Sequence, residues 1–176
     1  DTSSLLSDRN ELEYTPHTVL AKEMYSEDLM VITLSGTLDC KPGQFVFLWI
    51  PGKGEKPFSV AVNDPLTFLI RKRGIFTADL FDAKPGDVIY SRGLYGAPMS
   101  YRKSARALLI GGGTGSAVLP LIAETLKADG TMMDIRVGVV SRRDGKEALE
   151  DVLSAYGSYM AVADDGKAGR VLDTIT

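Results

Sequence analysis

The sequence predicts an antiparallel β-barrel followed by an α/β unit built on a parallel sheet, and three observations predict it. From His17 to about Tyr90, short stretches rich in Val, Ile, Phe, Thr and Leu alternate with turn residues at the spacing of a barrel or sandwich. After Tyr101-Arg102-Lys103-Ser104 the pattern becomes strand, helix, strand, helix, as in a parallel sheet. Just beyond that change the apolar run Leu108-Leu109-Ile110 enters Gly111-Gly112-Gly113-Thr114-Gly115, where bare backbone N–H groups and a helix amino terminus both favour an anion.

The elements of the first unit, residues 15–101, follow from local chemistry. Residues 1–14 are polar and aperiodic and read as an arm or linker. Strands are expected over Thr18 to Met24, Leu29 to Leu34, Phe45 to Ile50, Phe58 to Val62, Leu66 to Arg71 and Asp87 to Arg92. Tyr25-Ser26-Glu27-Asp28, Lys41-Pro42-Gly43, Pro51-Gly52-Lys53-Gly54, Asn63-Asp64-Pro65 and Lys84-Pro85-Gly86-Asp87 carry turn chemistry between them. One helix, Thr77 to Phe81, starts directly after Gly74 and places Ala78, Leu80 and Phe81 on a short apolar stripe.

The second unit, residues 102–176, begins with a strand over Ala107 to Ile110 and a helix over Ala117 to Ala128, whose Leu119, Ile122, Ala123 and Leu126 share a face. An apolar strand at Ile135 to Val140, a helix at Lys146 to Ala155 and a strand at Tyr159 to Ala163 follow, and Arg170 to Ile175 opens a third helix. Three parallel strands make half of a doubly wound nucleotide fold, so the expected unit is a partial one.

Composition narrows the function. With 20 basic and 23 acidic residues the net charge is -3, which speaks against nucleic acid or an anionic membrane surface and for a small-molecule ligand. The single cysteine, Cys40, can form neither an internal disulfide nor a cysteine-ligated cluster or zinc site within this sequence, and it reads as a half-buried loop residue. His17 is the one histidine and reads as a surface strand position, leaving little material for a triad or a metal site. No apolar run approaches the roughly 20 residues of a membrane span and the amino terminus lacks a signal pattern, so a cytoplasmic setting is expected.

Four segments carry chemistry, each with a plainer alternative. Lys56-Pro57-Phe58-Ser59 offers a cation, a fixed backbone angle, an aromatic face and a hydroxyl, which suit a flavin, or else simply a turn into a barrel strand. Arg71-Lys72-Arg73-Gly74-Ile75-Phe76-Thr77 sets three positive charges before a helix start, which suits a diphosphate, or else makes a solvated basic hairpin. Gly111 to Gly115 is neither a P-loop nor a GxGxxG fingerprint, whose third glycine would fall at Ser116; it is a nucleotide turn or a tight strand-to-helix connection. At the end of the second strand, Ser141 and Arg142 suit the 2'-phosphate of NADP and Asp144 the ribose of NAD, with a solvated loop as the alternative.

In order, Lys41-Pro42-Gly43-Gln44-Phe45, Lys56 to Ser59, Gly74 to Thr77, Lys84-Pro85-Gly86-Asp87, Gly93-Leu94-Tyr95-Gly96 and Gly111 to Gly115 resemble the ferredoxin-NADP reductase superfamily over about residues 15 to 176. Within it the chain is most similar to the electron-transfer subunits of two-component dihydroorotate dehydrogenases and related FAD- and NAD(P)-binding subunits. The resemblance implies an FAD-dependent NAD(P)H oxidoreductase or electron-transfer subunit, working with NAD or NADP and a catalytic partner subunit or acceptor protein. It implies FAD contacts from Lys56, Pro57, Phe58, Ser59, Leu69, Ile70, Arg71, Gly74, Ile75, Phe76 and Thr77, with Ser59 as the catalytic residue near flavin N5. It implies nucleotide contacts from Gly111, Gly112, Gly113, Thr114, Gly115, Ser141 and Arg142. Lys56 stands where the family carries arginine, which keeps the charge and loses the bidentate fork. Relatives carry cysteines for a [2Fe-2S] centre near the carboxy terminus, and none appears by Thr176. A self-sufficient flavin or ferredoxin reductase and a non-catalytic nucleotide-binding module are the alternatives.

Overall fold

The computed structural model describes residues 13–139 and 142–163. The first unit contains seven strands: β1 (Thr15–Met24), β2 (Leu29–Leu34), β3 (Phe45–Ile50), β4 (Gly54–Ser59), β5 (Val62–Asn63), β6 (Leu66–Arg71) and β7 (Val88–Tyr95). They form one antiparallel sheet in the order β4-β3-β7-β1-β2-β6-β5, which curls until β4 comes back against β6. Alternation builds the interior: Met30, Ile32 and Leu34 of β2 and Val46 and Leu48 of β3 all point into a core completed by Leu66, Phe68 and Ile70. Helix α1 (Ile75–Asp82) plugs one end with Phe76, Leu80 and Phe81. The ammonium of Lys22 donates to the carbonyls of Phe81 and Ala83 at 2.5 and 2.8 Å, satisfying acceptors at the helix carboxyl end.

The second unit is a three-stranded parallel sheet in the order β12-β9-β8, from β8 (Arg106–Gly112), β9 (Met132–Val139) and β12 (Ser158–Ala163). A 3-10 turn at Gly113–Val118 leads into α2 (Leu119–Ala128), and α3 (Glu150–Ser154) precedes β12. Ile135, Val137, Leu119, Ala123 and Leu153 form a second core that also takes in Leu29, Ala61 and Leu69 of the barrel. Strand β6 is therefore the wall between the units: Phe68 and Ile70 face one core and Leu69 the other, which explains a run buried at nearly every position. Tyr101 and Lys103, in the connecting segment, each donate to Asp129 at the end of α2 at 2.6 Å.

Several expectations need correction. Phe58 to Val62 is not one strand, because β4 ends at Ser59 and a separate two-residue β5 starts at Val62. Helix α1 starts two residues before Thr77, and α2 starts at Leu119 with Pro120 in its first turn, where its missing N–H costs nothing. The helix expected over Lys146 to Ala155 begins only at Glu150. Ahead of it, Asp144 (φ 52°) and Gly145 (φ 80°) turn β10 (Arg142–Arg143) into β11 (Lys146–Glu147), the two-residue hairpin that an Asp-Gly pair favours. His17 is not on the surface: it is 3% exposed, with Nδ1 2.7 Å from Ser35 O and Nε2 2.8 Å from Ser91 Oγ. Because a carbonyl only accepts, Nδ1 donates to Ser35 O, and Nε2 shares a hydrogen bond with the Ser91 hydroxyl. Cys40 is fully buried rather than half-buried, and that burial pushes its thiol up to about 11. The expected third helix at Arg170 to Ile175 and nearly all of the expected arm lie outside the described residues. No helix among the described residues is long and apolar enough to cross a membrane.

Candidate functional site

Two grooves meet along Pro57, Phe58 and Ser59 of β4. The first, about 400 Å³, is lined by Lys56 to Ser59, by Leu69, Ile70 and Arg71 of β6, by Arg73 and Thr77, and by Thr114 and Ala117 of the glycine turn. The second, about 440 Å³, is lined by Gly43, Gln44, Phe45, Phe47 and Val118 together with Pro57 to Ser59. Both have the size of small-molecule clefts. Ser59 opens on both, and its hydroxyl makes no hydrogen bond among the described residues.

The walls are held rigidly. Glu55, one residue before Lys56, accepts from Arg92 Nε at 2.8 Å, from Arg92 Nη2, and from the Tyr14 hydroxyl at 2.7 Å. The Arg92 guanidinium lies 4.3 Å from the Phe47 ring centroid and donates through Nη1 to Tyr95. Hydrogen bonding from Arg92 is the main reason why the Glu55 carboxyl is held down to about 2, and the same pairing raises Arg92. This clamp ties β4 to β7 across β3 and fixes the strand that carries Lys56 to Ser59.

The phosphate-suited end combines cations with free amides. Lys56 has no ion pair among the described residues. Arg71 Nε is buried without a hydrogen bond, and the one ion pair of Arg71 among the described residues is with Asp28 Oδ2 at 3.3 Å. The first helical bond of α1 runs from Ala78 N to Gly74 O, so the amides of Ile75, Phe76 and Thr77 are left for an outside acceptor. The Thr77 hydroxyl accepts from Arg73 N and Gly74 N at 2.7 and 3.1 Å and donates to Gly74 O at 3.0 Å. It is thereby used up in shaping the turn. The Phe76 side chain belongs to the barrel core, whereas Ile75 is 84% exposed.

The glycine turn divides by role. A Cβ at Gly111 would meet Leu119 Cδ1 at 2.7 Å and Ser116 Cα at 3.1 Å, so a side chain there would press on the turn and on the start of α2, and Gly113 has a positive φ of 52°. Gly112 and Gly115 have nothing within 4 Å of such a Cβ, so their bare backbone faces open space, as close approach by a nucleotide demands. Ser116, at the place of a fingerprint's third glycine, closes the turn by donating to Gly113 O at 2.7 Å.

Of the residues expected to bind cofactor, Lys56, Pro57, Phe58, Ser59, Leu69, Ile70, Arg71, Thr77 and Thr114 converge on the first groove. Gly74, Ile75, Phe76, Gly111, Gly112, Gly113 and Gly115 do not line it, although they neighbour lining residues in sequence. Arg142 sits apart, its Nε donating at 2.6 Å to Glu147, a buried carboxylate that also accepts from the Tyr159 hydroxyl at 2.9 Å. Asp144 is at the exposed hairpin tip, and Ser141 lies outside the described residues. The expectation omitted Arg73 and Ala117 from the first groove and Gly43, Gln44, Phe45, Phe47 and Val118 from the second; Arg73 had a visible signal as part of the basic run, and Gly43 to Phe45 as part of a motif that carries the family resemblance. A separate cavity of about 490 Å³ lies at the amino ends of β8, β9 and β12, lined by Arg106, Met132 and Ser158 among others. That is the opposite end from the one at which open parallel sheets bind nucleotides.

No protein-family model matches the chain. It is 32% identical over 145 residues to a probable dihydroorotate dehydrogenase B (NAD(+)) electron transfer subunit of Thermococcus kodakarensis, covering 82% of this chain and 60% of that one. The subunit of the same description from Methanopyrus kandleri is 36% identical over 137 residues, covering 74% of this chain and 50% of the other. Among solved structures, an NADH-dependent reduced ferredoxin-NADP oxidoreductase superposes with a TM-score of 0.75 at 26% identity, over 87% of this chain and 58% of that one. The chain thus spans between half and two-thirds of the length of these relatives.

Proposed function

Because this chain belongs to the ferredoxin-NADP reductase superfamily, we propose that it is an FAD-dependent NAD(P)H oxidoreductase module, acting as an electron transfer subunit between a nicotinamide nucleotide and a partner's redox centre. One observation carries the reading: Lys56, Ser59, Arg71 and Thr77 of the barrel share a groove with Thr114 and Ala117 of the glycine turn. In this reading residues 15–101 hold the flavin and residues 102–176 the nicotinamide nucleotide.

Bound flavin supplies two-electron exchange with nicotinamide and single-electron exchange with a partner centre. The chain's own residues bind and orient it. Lys56, Arg71 and the amides at the start of α1 neutralise and anchor the diphosphate. Pro57 and Phe58 form the wall against the ring system, and the uncommitted Ser59 hydroxyl supplies the hydrogen bond at its reactive edge. The open backbone at Gly112 and Gly115 receives the nicotinamide nucleotide, beside the second groove that Val118 lines. Arg142, its Nε committed to Glu147, keeps its Nη groups for the ribose end of NAD or NADP. The one cysteine of this sequence, Cys40, is buried and could not by itself hold a [2Fe-2S] centre.

Titration with FAD, followed by flavin absorbance and fluorescence, should give uptake near one equivalent, and anaerobic NADH or NADPH should then bleach it. A protein that ignores FAD overturns the reading. One that binds FAD and is bleached by neither nucleotide is the non-catalytic module instead.

A further inference from the structure

Resting on the flavin reading above, we infer that Asp28, in the turn between β1 and β2, is a positioning residue that sets Arg71 for the phosphate end of the first groove. Asp28 does not line that groove, whereas Arg71 does. Its carboxylate reaches Arg71 from behind, with Oδ2 3.3 Å from Nε, and this is the only ion pair of Arg71 among the described residues. The separation is short enough for a hydrogen bond but the alignment is not, so Nε stays buried and unbonded. Arg71 Nη1 and Nη2 make no hydrogen bond among the described residues, so the planar fork remains available to an anion in the groove that Arg71 lines.

The turn that carries Asp28 is itself fixed. Tyr25 N and Ser26 N both donate to Leu29 O, at 2.8 and 3.2 Å, and Lys72 N donates to Asp28 O at 2.8 Å. Leu29 pairs directly with Arg71 in the β2–β6 ladder, so the turn and the arginine are parts of one hydrogen-bonded frame. The Ser26 hydroxyl donates to Asp28 Oδ1 at 2.7 Å, which leaves Oδ2 free for Arg71. An arginine held in this way loses little side-chain freedom when an anion arrives.

A carboxylate near an anion site also repels the anion, and the two effects have opposite signs. Exposure decides between them: Asp28 is half open to water, at 51%, and its charge is screened, whereas the Arg71 side chain is 19% exposed and its orientation is a matter of packing. Positioning outweighs repulsion.

The test compares FAD with riboflavin, which lacks the phosphates, by quenching of flavin fluorescence on the full chain. Asp28→Asn should weaken FAD about fivefold, the scale of one lost polar contact, and leave riboflavin unchanged. Ser26→Ala, which frees the carboxylate without removing it, should weaken FAD by a smaller factor in the same direction. Added to Arg71→Ala, Asp28→Asn should cost less than about twofold more. Tighter FAD binding by Asp28→Asn, an equal loss for riboflavin, or additive losses in the double variant would overturn the inference while leaving the flavin reading intact. Failure of the unaltered chain to bind FAD would instead defeat the flavin reading, and this inference with it.

Discussion

The barrel and the parallel sheet bury their strands in opposite ways. In the barrel the inner face is filled by one apolar core, and β6 is buried on both faces because the second unit packs on its outer side. The parallel sheet is covered by α2 and α3 on one face only; on the other, Leu108, Ile110, Met132 and Met160 are open to solvent among the described residues. A barrel filled with side chains offers a ligand no interior, so the grooves form where the two packing schemes meet, along β4, β6 and the glycine turn. The site is a product of the junction.

The largest effects should separate the two cores. Phe68→Ala empties a fully buried site in the barrel and should cost about 3–5 kcal/mol in urea unfolding, taking flavin binding with it. Ile135→Ala, equally buried in the second core, should cost about 2–5 kcal/mol but spare flavin affinity once the protein is folded. If Ile135→Ala abolished flavin binding under native conditions, the two cores would have to be treated as one cooperative unit.

A smaller effect sharpens the division of labour at the junction. Lys56→Ala should weaken flavin retention by about 1.5–3 kcal/mol, the scale of a hydrogen bond to a charged group, with the melting temperature little changed. Gly115→Ala, which fills the open space at the turn, should leave flavin affinity alone and slow reduction by NAD(P)H. Unaltered flavin affinity in Lys56→Ala would assign the phosphates to Arg71 and the α1 amides alone.

The smallest effect concerns the clamp behind β4. The Glu55 carboxyl is depressed from its ordinary 4.5 to about 2, so its pairing with Arg92 stabilises the fold above pH 4.5, and that contribution fades as pH falls towards 2. Partial exposure limits it to about 1 kcal/mol. Glu55→Gln should therefore be less stable than the unaltered chain near neutrality and converge with it in acid, as read from melting temperature against pH. A constant difference across that range would show that the clamp works by packing of Arg92 on Phe47 and Tyr95 rather than by charge.

Much of this was legible beforehand where a local rule had no competitor. Strands β2, β3 and β6 fall on the residues expected, because strict alternation or a continuous apolar run between turn clusters admits one reading. Alternation broke down at Phe58 to Val62, where Val60 and Ala61 are buried although the ladder has stopped. Asp144-Gly145 is a hairpin signal that the expectation of a helix from Lys146 left unused. His17 carries no local mark of burial; Ser35 and Ser91, 18 and 74 residues away in sequence, supply the partners that make it affordable inside.

The sequence by itself determined the order of elements, the change from period-two strands to strand–helix alternation, and the residue types gathered at Lys56 to Ser59, Arg71 to Thr77 and Gly111 to Gly115. These are local properties of spacing and backbone preference. Only the tertiary structure decided that Thr114 shares a groove with Lys56, that the Thr77 hydroxyl is spent on its own turn, that Arg142 is tied to a buried glutamate, and that Asp28 stands behind Arg71. Each of these depends on which strands pair across the sheet and which faces pack between units, and such contacts join residues whose distance along the chain carries no signal of their meeting.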